Sequence, residues 1–305
     1  MVNSIIVTNY LGESIVLELG KPEESGFLIT SIDGLGPVKA NINTTNKSGM
    51  DGSKYNSAKR ENRNIVIHLK FISDGTETIE DIRQRSYKYF PTKKNVEIII
   101  VTDNRVCYTN GYVESNEPTI FDQQEGCDIS VICTDPNFYD ALGDGVISVL
   151  SGIESLFEFP FSNDSLTEDL IILSNVNSTR EKSIYYDGDI ESGILIRIKA
   201  IGSAEHLSIV NLDTRESFKI DTDKLQKMNG NGIVAGDEIL ISTSEGNKYV
   251  RMNRNGVSSS ILNCIDIQSN WFKLKKGYNR FTYFCETGDS NLEIQLEHKV
   301  VYEGV

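Results

Sequence analysis

Apolar and polar residues alternate along most of the chain, which is the pattern of a β-strand with one buried face. In residues 64–71, for example, Ile65, Ile67 and Leu69 fall on one face, whereas His68 and Lys70 fall on the other. Gly, Asn and Asp interrupt the alternation repeatedly and favour turns. The pattern predicts a mainly β protein of short strands.

The predicted strands fall into two groups, separated by a break near residue 140. Those of the first half lie within residues 5–43, among them 14–19, 27–32 and 38–42, and at residues 64–71, 96–102, 106–114 and 128–133. Those of the second half lie at residues 170–174, 182–186, 194–200, 206–212, 216–220, 238–243, 248–252, 261–265, 279–285 and 292–301.

One α-helix is predicted within residues 74–91. Ile79, Ile82, Ser86 and Tyr89 recur at three- and four-residue spacing, as on the packed face of a helix; Thr78 can cap the N-terminus, and Pro91 cannot continue the helix.

Residues 133–145 break the strand pattern, because Pro136 cannot donate to a ladder and Gly143 and Gly145 loosen the chain. We therefore expect a boundary at about residues 136–142, with one domain at 1–140 and another at 141–305. The first should be a β-sheet or sandwich domain with one α-helix, and the second an antiparallel β-sandwich.

The polar segment 43–62 is too long for a hairpin turn and offers little to bury, with Met50 and Tyr55 as its large apolar residues. Composition leaves two alternatives open: disorder, or contact with another chain.

Net charge narrows the function classes. The chain carries −14, divided as −5 up to Pro136 and −9 after it. Without a basic stripe we expect neither specific nucleic-acid binding nor binding to an anionic membrane. The N-terminus has no pattern of a secretion signal, and no apolar run reaches transmembrane length. Five separated cysteines without a CxxC pair are typical of structural thiols in a reducing cytosol.

No residue pattern points to a catalytic, metal or cofactor site. Residues 187–193 (DGDIESG) do not place Gly and Glu as a calcium-binding EF-hand loop requires, and no P-loop, nucleophile elbow or zinc-protease motif occurs. His68 is interpreted as a structural strand residue. Trp271 and Tyr278 are a candidate glycan platform, although a core tryptophan in a strand at residues 271–274 is favoured over that interpretation.

Several stretches together resemble the distal tail protein family of siphovirus-type phages and related phage-tail-like particles. They are VTNYLG, SIDGLGPVKANINTT, DGSKYNSAKRENRNIVIHLKF, the helix with its trailing YFP, GYVESNEPTIF, ICTDPNFY, GDEILISTSEGNKYV and WFKLKKGYNRFTY. The resemblance covers nearly the whole chain and is densest before residue 140.

The resemblance implies a homo-hexameric ring in the virion, at the distal tail or baseplate, made in the bacterial cytoplasm. A tail-tube-like first domain would close the ring, and a galectin-like or carbohydrate-module-like sandwich would follow it. The ring would join the tail tube protein to the baseplate hub and could carry receptor-binding proteins. Asp51, Gly52, Tyr55 and Asn56 match positions that reach a neighbouring subunit, and residues 296–305 can return to the first domain.

Two alternatives remain beside structural assembly. One is a cell-surface carbohydrate-binding protein that acts through the second domain. The other is a glycan-active enzyme, for which 44 acidic residues give no specific signal.

Overall fold

The structure, a computed structural model, describes residues 1–46, 48–49, 51–121, 123–143, 145–155, 174–177 and 181–305. It divides into two compact units. The first consists of Met1–Asp144 together with Val301–Val305, and the second of Gly145–Val300. The first unit therefore extends four residues beyond the expected boundary at residue 140. Its last segment begins at Val301, after the whole second unit.

The first unit contains a nine-stranded antiparallel sheet and a separate two-stranded ribbon. The strands of the large sheet are β1 (Val2–Thr8), β2 (Ser14–Glu18), β3 (Phe27–Asp33), β6 (Arg63–Phe71), β7 (Asn95–Thr102), β8 (Val106–Thr119), β9 (Gly126–Cys133), β10 (Phe138–Asp140) and β22 (Val301–Tyr302). The ribbon consists of β4 (Ala40–Asn46) and β5 (Ser53–Arg60).

The order β2-β1-β7-β8-β9-β6-β3 places seven strands side by side, while β10 pairs with both β8 and β22. Alternate side chains of β1, β7, β9 and β6 are fully buried in one apolar cluster, as the period-two pattern requires. Residues of the edge strands β2 and β3 join the same cluster, so the sheet encloses a single core.

The helix α2 (Ile79–Tyr89) contributes Ile82 to this core. Thr78 caps it, as predicted: its Oγ1 accepts the Asp81 amide proton, and the Asp81 carboxylate accepts the Thr78 amide proton. A short helix α1 (Pro22–Ser25), which the pattern did not predict, precedes β3 and ends at Gly26. The expectation of one helix in this unit was therefore incomplete.

The second unit is an antiparallel sandwich with a seven-stranded and a four-stranded sheet. The larger sheet has the order β12-β11-β21-β14-β17-β18-β19, with strands Ser174–Asn177, Val146–Ser155, Leu292–His298, Leu195–Ala200, Glu238–Ser242, Tyr249–Arg254 and Val257–Ser260. The smaller has the order β13-β20-β15-β16, with strands Glu181–Tyr186, Gly277–Phe284, Ser208–Asn211 and Glu216–Lys219.

One apolar cluster includes residues from both sheets, for example Ile196 and Ile294 from the larger and Phe281 from the smaller. The mainly β class and the second-domain sandwich are thus confirmed. The unit also contains the helix α3 (Thr222–Asn229), which sequence analysis did not predict; its N-cap Asp221 accepts the Lys224 amide proton.

Three further predictions concern the second unit. The strand expected at 261–265 is instead a short 3₁₀ helix, Leu262–Cys264, and a second such helix spans Asp289–Asn291. The strand expected at 271–274 is reduced to an isolated bridge at Leu274. Residues 170–173 of another predicted strand lie outside the described residues.

Candidate assembly surface

The segment 43–62 is a β-ribbon, not a long loop. β4 and β5 pair antiparallel from Ala40–Arg60 at the root to Asn46–Ser53 at the tip. Every residue of the two strands except Arg60 is exposed, and none belongs to either apolar core. The strand predicted at 38–42 overlaps only the start of β4, and β5 was not predicted, because the usual signal, one apolar face buried against a core, is absent.

A β-bulge shifts the register between Asn43 and Thr44, so that Asn56 has no directly opposed partner. Its side chain instead donates to Thr45 Oγ1 at 2.5 Å. The bulge reverses the alternation of β5, which brings Tyr55 opposite Thr44 and onto the face that carries Ile42 and its partner Ala58.

The ribbon consequently has two unlike faces. We call the side with Ala40, Ile42, Thr44, Tyr55 and Ala58 the apolar face; Ile42 is 59% exposed and Tyr55 61% exposed. The opposite side carries Asn41, Asn43, Thr45, Lys54 and Lys59 and is the polar face. Of the four residues matched by resemblance, Asp51 and Gly52 lie at the exposed tip, Tyr55 on the apolar face and Asn56 in the bulge.

The ribbon is also opposite in charge to the rest of the chain. Residues 40–60 contain four basic residues and one acidic residue, a balance of +3, whereas the whole chain carries −14. A concave space of about 930 Å³ lies along the root of the ribbon, lined by residues 41–44, Ser57 and residues 59–62.

The root of the ribbon is fixed by Arg63, which is fully buried. Its guanidinium donates to Pro136 O at 2.8 Å, to Gly36 O at 2.7 Å and to Gly34 O, and it stacks on the Phe138 ring at 4.1 Å from the centroid. Burial lowers the pKa of Arg63 from its ordinary value, although an arginine remains protonated.

A fourth bond of Arg63 reaches the returning chain, because the guanidinium donates to Glu303 O at 2.6 Å. Arg105 donates to Gly304 O at 3.1 Å and lies over the Tyr302 ring, and the Val305 amide donates to Leu35 O. Residues 301–305 are thus tied to the chain that enters β4. Leu296–His298, which we had grouped with this return, belong instead to β21 of the second unit.

One feature of the sequence hinted at this anchor. Arg63 is the first residue of the alternation that continues with Ile65, Ile67 and Leu69 on the buried face. The pattern therefore places a charged side chain at a position where a buried apolar residue is expected. Gly34, one of its acceptors, has φ of +84°, and an added Cβ would lie 1.9 Å from Asn64 O. Because of this close contact and the positive φ, only glycine fits at position 34, on the chain that leads to the ribbon.

His68 lies on the outer side of the large sheet, where Nδ1 is 2.7 Å from Asp128 Oδ1 and Nε2 is 3.5 Å from Asp33 Oδ2. The hydrogen bond with Asp128 raises the pKa of His68, and Asp33 acts in the same direction. The histidine serves as a partner of two strand carboxylates.

The two aromatic residues proposed as a glycan platform lie in different surroundings. Trp271 packs against Phe218, with ring centroids 5.3 Å apart, and Lys248 lies over its ring. Tyr278 pairs instead with Tyr185 at 5.1 Å. Among the described residues, no ring contact joins Trp271 to Tyr278.

Within the described part of the chain, no group of three or more His, Cys, Asp or Glu side chains is arranged to hold a metal ion. No disulfide joins the five cysteines, all of which lie among the described residues. Burial raises the pKa of Cys127 to about 12, so that thiol is not a nucleophile near neutral pH. No helix among the described residues is long and apolar enough to cross a membrane.

Two family models match the chain. The model described as "Phage tail protein RIFT-related domain" matches residues 17–139, and the model described as "Siphovirus-type tail component, C-terminal domain" matches residues 187–302. A search among curated proteins gives no match.

Among solved structures, the Dit protein (gp 19.1) of phage SPP1 has the same fold. It is 14% identical, with a TM-score of 0.62, and the alignment covers 97% of this chain and 98% of that one. A chain of the phage P2 baseplate in its activated conformation is 12% identical, with a TM-score of 0.44 and full coverage of both chains. The first of these likenesses establishes the architecture of both units.

Proposed function

Because the chain belongs to the distal tail protein family of siphovirus-type phages, we propose that six copies close into a ring at the distal end of the tail. The coarser conclusion follows from the family itself: the protein is a structural component of a phage tail. In the proposed ring, the ribbon of each copy lies on the next copy, and the first units form the wall.

The observation that carries this proposal is the apolar face of the ribbon. Two strands alone are marginal in water, and they are normally stabilised by packing one side against a core. Here neither side packs on the chain's own core, yet Ile42 and Tyr55 remain on one side at about 60% exposure. A second copy of the chain is an occupant that would cover them, and the same contact repeated head to tail closes when the rotation does.

Charge supports a copy of this chain as the occupant. The ribbon segment carries +3, while the rest of the same chain is strongly acidic. A basic ribbon is therefore attracted to a neighbouring copy, whose net charge is negative, and this attraction favours encounter.

The anchor at Arg63 supports a defined direction for the ribbon. Two of its four backbone acceptors, Gly34 O and Gly36 O, lie on the chain that enters β4, so the ribbon leaves the first unit at a set point. A preorganised element loses less conformational entropy when it binds than a loop that must become ordered.

The further partners are proposed from the family. They are the tail tube protein on one side of the ring, the baseplate hub on the other, and a receptor-binding protein carried by the assembly. We propose no catalytic role.

The first experiment compares two double variants that change no charge. Ile42→Ser with Tyr55→Ser removes the large side chains of the apolar face, and Asn43→Ser with Thr45→Ser changes the polar face. Burying the exposed parts of Ile42 and Tyr55 stabilises an interface by about 1–2 kcal/mol each. The first variant should therefore weaken ring formation on the order of a hundredfold, as measured by light scattering across a concentration series, and the second should weaken it much less.

The second experiment replaces residues 42–58 with a short Gly-Ser linker and keeps Arg60, whose Nη1 donates to Asn137 Oδ1 at 2.9 Å. The thermal midpoint of the monomer should change little, because no ribbon residue lies in a core and a shorter loop costs no more to close. Rings at wild-type affinity would refute the role of the ribbon. Loss of folding would show that the ribbon stabilises its own unit.

A further inference from the structure

Two exposed tyrosines form a pair on the open face of the four-stranded sheet of the second unit. Tyr185 of β13 lies directly opposite Tyr278 of β20, with ring centroids 5.1 Å apart and an interplanar angle of 59°. Tyr185 is 57% exposed and Tyr278 is 73% exposed. Together they offer an aromatic surface at one edge of the sandwich, away from the residues that fill its core.

The phenol hydroxyls of this pair are available to a ligand. Among the described residues, neither hydroxyl has a hydrogen-bond partner, whereas the buried Tyr186 next to them donates to Ile190 O at 2.6 Å. Each exposed tyrosine therefore presents both an apolar ring and a polar group that can donate or accept.

Charged groups held in ion pairs lie on both sides of the tyrosines. Arg280, two residues along β20 on the same face, donates to Asp213 Oδ1 from Nε at 3.0 Å and from Nη2 at 2.8 Å. Lys276, two residues before Tyr278, lies 3.7 Å from Asp187 and 3.9 Å from Asp189. Because both guanidinium nitrogens donate to the same Asp213 oxygen and Asp213 Oδ2 accepts the Arg280 amide proton, the Arg280 side chain is fixed before any ligand arrives.

We propose that this tyrosine pair, with Arg280 and Lys276 at its sides, binds a neutral saccharide. One side of a sugar ring presents C–H groups, which pack on the negative face of an aromatic ring, while the hydroxyls of its rim need hydrogen-bonding partners. The two tyrosines supply the faces, and the paired side chains beside them supply donors and acceptors in fixed positions.

The local charge selects against anionic sugars. Two cations, Lys276 and Arg280, stand with four carboxylates, because Glu181 also lies 3.8 Å from Arg280. The balance is −2 around the pair, so a uronic acid or phosphate-bearing polymer would meet repulsion. Hence a neutral hexose chain is the expected ligand class.

The site is independent of ring formation, since no ribbon residue takes part in it. It also differs from the platform expected from sequence, which combined Tyr278 with Trp271. A cross-strand tyrosine pair can exist for sheet stability alone, where it contributes about 0.2–1 kcal/mol. Binding must therefore be measured directly.

The test uses the full chain and saturation-transfer NMR with four probes. Maltohexaose, cellohexaose and mannohexaose are neutral, and hexagalacturonate is anionic. At least one neutral probe should receive saturation at its ring C–H protons. Tyr185→Ala with Tyr278→Ala should weaken its binding at least tenfold, whereas the control Tyr112→Ala, an exposed tyrosine of β8, should leave it unchanged.

The second variant guards against a folding defect. Tyr185→Phe with Tyr278→Phe keeps the rings and removes the hydroxyls, so binding should weaken but persist. Absence of signal with all neutral probes overturns the proposal. So does equal binding by the double alanine variant, or tighter binding of hexagalacturonate. Ring formation by the double alanine variant should match wild type, which separates this result from the assembly proposal.

Discussion

Replacing Arg63 is the sharpest test of how the first unit is held together. Arg63→Met keeps much of the side-chain volume and removes the guanidinium. Four backbone oxygens then lose their donor: those of Gly34, Gly36, Pro136 and Glu303. The stacking contact with the Phe138 ring is lost as well.

The expected cost follows from the type of bond removed. Hydrogen bonds to a charged group contribute about 1.5–3 kcal/mol each, so four bonds set an upper limit of about 6–12 kcal/mol. Water can reach some of the freed carbonyls, and effects within one network do not add. The cost of breaking a buried charged network, about 3–5 kcal/mol, is the better expectation. For a unit of this size the midpoint should fall by roughly 10 °C or more.

Thermal and urea unfolding of the full chain measure this loss, with hydrogen exchange to assign it to the first unit. Amides of β3 and β9 should exchange faster, while those of β14 and β17 in the second unit should keep their protection. Arg60→Met is the matched control, because Arg60 is partly exposed and makes one hydrogen bond, to Asn137, and one exposed ion pair, with Glu303 at 3.7 Å, but no bond to the four carbonyls. A loss under 1 kcal/mol for Arg63→Met, or an equal loss for both variants, would show that the four bonds do not hold the unit.

Three further predictions concern stability. His298 is 2% exposed, with no hydrogen-bond partner for either ring nitrogen among the described residues, and burial lowers its pKa below 6.5. As the pH falls below 6.5, the unfolded chain binds a proton at this histidine before the folded chain does. The free energy of unfolding should therefore fall by up to about 1.4 kcal/mol per pH unit until the folded pKa is reached. Urea titrations at pH 7 and 5.5 measure this fall, which should be smaller for His298→Leu. Asp237→Ala should cost about 3–5 kcal/mol in urea unfolding, because it leaves the Arg254 guanidinium, now 2.6 Å from Asp237 Oδ2, without its partner; an unchanged midpoint would contradict this. Gly34→Ala should lower the thermal midpoint, since its φ of +84° and the clash with Asn64 O both exclude a side chain, and a midpoint equal to wild type would refute the strain.

The large elements could be predicted because their signals are local. The helix at Ile79–Tyr89 combined spacing, a capping residue and a following proline, and β6 showed an uninterrupted alternation. The ribbon could not be predicted in this way, because both faces of its strands are exposed, the face with Ile42 and Tyr55 included. Its pairing depends on main-chain bonds and a bulge, which leave little trace in composition.

The contacts that define the sites were out of reach for a different reason. Arg63 meets Glu303 across 240 positions of the chain, and Tyr278 meets Tyr185 across a ladder between distant strands. Residue spacing predicts contacts within one helix or strand, whereas these contacts depend on which distant segments lie side by side in the folded chain. The helix α3 is a different case: its N-cap Asp221 is a local signal, but sequence analysis did not predict a helix of only eight residues there.

The first unit consists of two segments that are separated in sequence by the whole second unit, and this has a consequence for the synthesis of the protein. Residues 145–300 must leave the ribosome before residues 301–305 can reach β10 and Arg63. At bacterial elongation rates this interval lasts roughly 8–30 s. Until then the nascent first unit lacks the carbonyls of Glu303 and Gly304 and the Val305 amide at the root of its ribbon. A chain truncated before residue 301 would carry the ribbon but hold it loosely, because residues that are translated only after the whole second unit help to fix the ribbon's direction.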